Sequence, residues 1–211
     1  MVELDPSSGD ETYTLLKRSV PIARQIAESA ESDVGEGVLV LLPDAGTAAL
    51  ARRDWRSECT LRVGALDDAV QLHDVKLVMV VAPSASEVGA LVRVAQRAVE
   101  DGTPLMMLNA DLVDMGVTGL SLNARRLRAQ LIDSFENAFM LRMVRGGVLL
   151  RQWPGDWSVW GESGDDGYRF VSSFESIPDA DALDGALFAG GDGSEGVLSK
   201  LQRFLRTYMK G

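Results

Sequence analysis

The chain holds 211 residues, 46% hydrophobic and 25% charged, the balance of a globular protein long enough to bury a core without covalent staples. Acidic side chains outnumber basic ones by 31 to 21, so the net charge of −10 repels nucleic acid and anionic membrane over most of the surface, and any such contact must be local. The single cysteine, Cys59, excludes an intrachain disulfide and a cysteine-based zinc cluster; with His73 as the only histidine, no metal or cofactor is expected, and a reducing compartment fits.

Met1-Val2-Glu3-Leu4 reads as a short strand, without the hydrophobic stretch of a signal or the acid-poor, Arg- and Ser-rich character of a transit peptide. An amphipathic helix is expected over 11–29, with Leu15, Leu16, Ile22, Ala23 and Ile26 inward and Pro21 kinking or delaying it. Residues 38–42, 60–66, 75–82 and 104–109 are apolar runs of strand length without alternation, the pattern of adjacent strands buried on both faces of a mostly parallel sheet. The longest apolar run, 75–83, is interrupted by Lys76 and falls well short of the roughly 20 residues that cross a bilayer.

Between these runs lie a helix after Pro43-Asp44 and another opened by Ser84-Ala85-Ser86-Glu87, with Val88, Leu91, Val92, Ala95 and Val99 as its buried stripe. A loop over 109–122 and a helix over 125–137, capped by Asn123, complete the βα pattern. From 139 the grammar changes: three or four strand-like segments joined by Gly146-Gly147, Pro154-Gly155 and Gly164-Asp165-Asp166-Gly167 predict an antiparallel meander that extends the parallel sheet at one edge. A short helix over 179–189, a glycine-rich link and a cationic amphipathic helix over 197–209 follow. The expected architecture is a three-layer, Rossmann-like α/β domain over 1–190, with a βα core at 1–137 and a meander at 138–178, followed by the 191–211 tail.

Three segments carry a family likeness. They are Leu41-Leu42-Pro43-Asp44-Ala45-Gly46-Thr47-Ala48-Ala49 with Trp55, Pro104-Leu105-Met106-Met107-Leu108-Asn109, and Arg151-Gln152-Trp153-Pro154-Gly155-Asp156-Trp157-Ser158-Val159-Trp160. In this order and spacing they resemble the domain of unknown function numbered nineteen ninety-five, found in chloroplast and cyanobacterial proteins. Its relatives include a photosystem II assembly factor and the tail of a plastid adenylate kinase. The resemblance implies a plastid stromal protein that assists photosynthetic complexes by protein interaction. In that family a helix and a transit segment usually precede this start, so truncation, processing or an incomplete gene model is expected.

Candidate chemistry is sparse. Gly191-Asp192-Gly193-Ser194-Glu195-Gly196 matches the dinucleotide pattern but follows a helix and carries two acids, so it reads as a linker; no P-loop occurs, and the kinase chemistry of the fused relative does not transfer. His73 lacks an accompanying nucleophile motif and reads as a surface residue, Cys59 as a quiet one. No catalytic residue is assigned. In open α/β sheets ligands gather beyond the carboxyl ends of parallel strands, where Asp44, Thr47, Ser84, Ser86 and Asn109 stand. A pocket there would make the chain a small-molecule-binding enzyme or regulatory domain; the competing reading is that the serines and Asp44 cap helices and Asn109 ties down a loop. An interaction face would instead use Trp157 and Trp160 with Arg125, Arg126 and Arg151, at least one tryptophan of the meander remaining exposed, while residues 197–209 either dock on their own domain or contact a partner or a membrane surface.

Overall fold

The computed structural model describes residues 1–4, 12–55, 60–68, 72–112, 131–163 and 167–190. Two compact units divide the chain, Met1–Asn137 and Ala138–Gly211.

In the first unit the strands are β1 (Val2–Glu3), β2 (Val38–Leu42), β3 (Arg62–Ala65), β4 (Leu77–Val81) and β5 (Leu105–Leu108), in the order β3-β2-β4-β5-β1. All their pairings are parallel. The four expected runs are therefore adjacent parallel strands, β2 with the expected bounds and β3, β4 and β5 one or two residues shorter at their ends than the runs that announced them. Helices α1 (Thr12–Val34), α2 (Ala45–Trp55) and α3 (Val88–Asp101) supply the crossovers.

Alternation assigns the two faces of this sheet. Leu39 and Leu41 of β2, Val78 and Val80 of β4 and Met107 of β5 pack with Ala90, Leu91, Val94 and Ala98 of α3. Val38, Val40, Leu42, Met79 and Val81 point the other way and are buried as well, on the side where α1 packs against β2 and β4 and α2 against β2 and β3. Helices thus cover both faces, which is why β2, β4 and β5 carry no polar positions.

Three details depart from expectation. Helix α1 begins ahead of Pro21 and runs through it to Val34, so the proline does not delay it. Val99 is 82% exposed: the stripe of α3 follows Leu91, Val94 and Ala98, and the next residue is rotated about 100° from that line. Of the expected helix over 125–137, the described part is a 3₁₀ turn at Ile132–Ser134 followed by extended backbone at Phe135. Ser134 Oγ donates to Leu131 O at 2.6 Å and closes that turn with a side chain.

The second unit is an antiparallel meander of four strands, β6 (Phe139–Val144), β7 (Gly147–Gln152), β8 (Trp157–Ser163) and β9 (Gly167–Phe174), then helix α4 (Ala180–Gly190). Met140, Leu149, Trp157 and Val159 line its inner face and meet Leu183, Ala186 and Leu187 of α4. Asp179 opens that helix, its Oδ1 accepting from Ala182 N at 2.8 Å. The chain is accordingly an α/β protein with a parallel sheet followed by an antiparallel meander.

Candidate functional site

Beyond the carboxyl end of β2 the chain turns at Pro43-Asp44 into α2. Asp44 is exposed, yet both its carboxylate oxygens are engaged by one residue: Oδ1 accepts from Thr47 N at 2.9 Å and Oδ2 from Thr47 Oγ1 at 2.6 Å. These bonds stabilise the anion, with Thr47 Oγ1 the largest contributor, and hold the carboxyl below its ordinary 3.8. An N-cap of this kind satisfies donors that the helix cannot.

The end of β4 is organised the same way. Ser84 and Glu87 form a capping box, Ser84 N donating to Glu87 Oε2 at 2.8 Å and Ser84 Oγ to the same oxygen at 2.6 Å. Ser86 Oγ donates to Glu87 Oε1. Partial burial opposes ionisation of Glu87, but the hydrogen bonds from Ser84 and Ser86 outweigh it and its carboxyl lies below the ordinary 4.5.

At the end of β5, Asn109 is buried with 3% exposure and has left-handed backbone, φ 50°. Its Oδ1 accepts from Leu4 N at 2.7 Å, its Nδ2 donates to Ser19 Oγ at 2.9 Å, and its backbone N donates to Val2 O at 2.8 Å. One side chain therefore binds the exit of β1 to α1. Ala82, at the end of neighbouring β4, also has a positive φ of 45°, and just beyond it Asp111 N donates to Pro83 O at 2.8 Å. The two strand ends turn sharply and are laced together.

Topology marks this region independently. From β2 the chain crosses by α2 to β3 on one side, whereas from β4 it crosses by α3 to β5 on the other, so the adjacent carboxyl ends of β2 and β4 form the switch point where open α/β sheets admit ligands. Asp44 and Thr47 stand on one side of it and Ser84 and Ser86 on the other. Asn109 lies one strand further on and faces inward.

A family model described as a domain of unknown function (DUF1995) matches residues 1–185. The chain belongs to that family. No curated protein matches it. The polar residues at the strand ends of this DUF1995 domain thus sit where a ligand would be sought and are bonded to the domain's own backbone and side chains.

The aromatic and basic candidates of the DUF1995 domain separate into two groups. Trp157 and Arg151 are buried, at 4% and 8% exposure, with the guanidinium 5.6 Å from the indole centroid, so neither stands on an open face. Arg151 Nη1 also donates to Gly155 O, and Gly155 N donates to Gln152 O at 2.8 Å, bracing the β7–β8 turn from beneath. The tryptophan presented to solvent is Trp153, 60% exposed at that turn, its N donating to Ala138 O at 2.9 Å. Trp160 is half-buried and meets Phe170 edge to face, with centroids 5.7 Å apart. Sequence reasoning named Trp157 and Trp160 for an interaction face and passed over Trp153; the Pro-Gly turn after Trp153 was the signal that could have found it. His73 is exposed beside Asp74, 3.2 Å away. Arg125, Arg126, Cys59, the 191–196 link and residues 197–209 lie outside the described residues.

Among the described residues no group of three or more His, Cys, Asp and Glu is placed to hold a metal ion, and no helix is long and apolar enough to cross a membrane.

Proposed function

We propose that this DUF1995 protein is a non-enzymatic interaction protein of the plastid stroma that assists the assembly or maintenance of photosynthetic complexes. The observation that carries the reading is the use of Asp44, Ser84, Ser86 and Asn109 for caps and a buried tie, which commits to the fold the polar groups a pocket would need. The plastid setting rests on the likeness to chloroplast and cyanobacterial proteins. For the contact itself, Trp153 is the strongest anchor: a large exposed aromatic on a turn braced by Arg151 loses little freedom on binding, and such residues dominate interface energetics. A plant line lacking the endogenous protein tests this. Restored accumulation of a photosynthetic complex by the wild-type chain, and failure by a folded Trp153→Ala chain, is expected; equal restoration by both removes Trp153 from the account, and an unaltered complement of complexes in the deficient line removes the function.

The second reading is a small-molecule site at the β2–β4 switch point, favoured by the opposed crossovers there. Because Asp44 and Glu87 both hold their negative charge, the ligand would be neutral or cationic. A metabolite whose thermal stabilisation of the chain disappears in Asp44→Ala would support it.

A further inference from the structure

Two exposed apolar side chains of the second unit stand at one end of its sheet. Trp153, on the β7–β8 turn, is 60% exposed, and Ile177, in the link from β9 to α4, is 52% exposed. At this same end β8 begins and β9 finishes, with Trp157 paired to Phe174. The next residue outward on each strand is an acid, Asp156 on one and Glu175 on the other, and both are exposed. The strands β7 and β9 are separated by β8 alone, about 10 Å at ordinary strand spacing, so one short segment spans both apolar side chains and the carboxylates between them.

Like charges on neighbouring strands repel, and here the chain supplies little to offset them. Residues 152–162 and 171–190 hold no lysine or arginine. Arg151 is buried, with its guanidinium committed to Gly155 O and the Trp157 ring, and Arg169 lies back along β9, about 17 Å from Phe174. The turn that carries Trp153 is fixed by its own backbone bonds, Trp153 N to Ala138 O and Gly155 N to Gln152 O. A firmly held indole therefore stands beside uncompensated negative charge. Lysine and arginine complement both features at once, because their apolar stems cover an aromatic ring while the cation meets a carboxylate. Nucleic acid and anionic membrane are repelled at this end, and a second copy joined through the same end would bring the carboxylates together.

We propose that this end of the meander docks a basic segment of a partner protein, with Trp153 and Ile177 covering its apolar side chains and Asp156 and Glu175 meeting its lysines or arginines. The proposal rests on the interaction reading above and gives the partner a chemistry. Titration of a labelled peptide of alternating lysine and leucine with the full-length chain, read by fluorescence anisotropy, tests it. Trp153→Ala and Asp156→Asn/Glu175→Gln should each weaken binding at least about tenfold, and added salt should weaken the wild-type complex, whereas Glu36→Gln/Glu100→Gln in the first unit leaves it unchanged. If Trp153→Ala melts earlier than the wild type, Ile177→Ala gives the reading in its place. Absence of binding, binding indifferent to the site variants, equal weakening by the first-unit pair, or equal binding of a glutamate–leucine peptide each overturns the proposal. So does association with phosphatidylglycerol vesicles that Trp153→Ala abolishes. Any of these results, together with a Trp153→Ala chain that still fails to restore a photosynthetic complex, strikes the basic partner and leaves the interaction reading. Restoration by Trp153→Ala, with peptide binding lost as expected, strikes that reading's use of Trp153 and leaves the basic-segment site standing.

Discussion

Asn109 and Ser19, ninety residues apart in sequence, share a 2.9 Å hydrogen bond in which the amide Nδ2 donates to the hydroxyl, and both residues are buried. Ser19 Oγ in turn donates to Leu15 O at 2.7 Å, one turn back in α1. The end of β5 is thereby joined to the helix that follows β1, and through Leu4 N to β1 itself. A residue at the carboxyl end of a parallel strand, where a ligand-binding side chain is most readily imagined, serves as a knot.

The helix caps predict a pH dependence. Asp44 and Glu87 titrate below their ordinary 3.8 and 4.5, so each stabilises the fold at neutral pH, and that contribution is lost as pH falls from those values through the lower folded ones. In Asp44→Asn/Glu87→Gln the contribution is absent throughout. Denaturation of both proteins should show the wild type more stable at pH 7 and the difference shrinking below pH of about 4. A difference that widens on acidification would mean the carboxylates are not the stabilising species.

Replacement of Ser84 by Ala removes the cap of the 3₁₀ turn Ala85–Glu87 that leads into α3 and should cost about 1 kcal/mol, within the usual range of about 0.5–2 kcal/mol for helix caps. A thermal melt of Ser84→Ala reads this. An increase in stability would point instead to a group held under strain for a ligand.

Two glycines of the second unit should respond in opposite senses. A Cβ on Gly147 would lie 2.2 Å from Trp160 O and 2.7 Å from Leu187 Cδ2, so Gly147→Ala must push β7 off β8 or displace α4 and should cost about 1–3 kcal/mol or more. Gly185 lies within α4 and a Cβ there meets nothing within 4 Å; Gly185→Ala should stabilise by up to about 1 kcal/mol through helix propensity. Paired urea titrations compare them directly.

Val99, exposed near the end of α3, contributes little apolar burial. Val99→Lys should stay within about 0.5 kcal/mol of the wild type, since surface changes away from special features rarely exceed that. A larger loss, in the same titration, would show that the residue covers more of the core than its exposure suggests.

Much of this architecture was legible because buried parallel strands must be apolar on both faces, which made 38–42, 75–82 and 104–109 plain, and because Ser-x-x-Glu at 84–87 carries its own capping chemistry. The meander followed from its turn residues. Ser19 and Arg151 were not legible, since each is a polar residue whose burial depends on a partner brought in by the fold: Asn109 for the serine, the Gly155 carbonyl and the Trp157 ring for the arginine. Val99 misled because the periodicity of an isolated helix does not tell where the sheet beneath it ends. At the strand ends the residue types were evident, but a cap and a ligand-binding group use the same serine and aspartate, and only the distances separate them.

The most direct test of the claim that the strand-end residues serve the fold is a double-mutant cycle between Ser19 and Asn109, measured as unfolding free energy in denaturant. Asn109→Ala loses the bonds to Leu4 and Ser19 and places Ala in left-handed backbone, so a loss of about 2–4 kcal/mol is expected, with Ser19→Ala costing less and the two coupled by at least about 0.5 kcal/mol. Additive effects, or an Asn109→Ala chain as stable as the wild type or more so, would contradict the account and return the end of β5 to the list of ligand-binding sites.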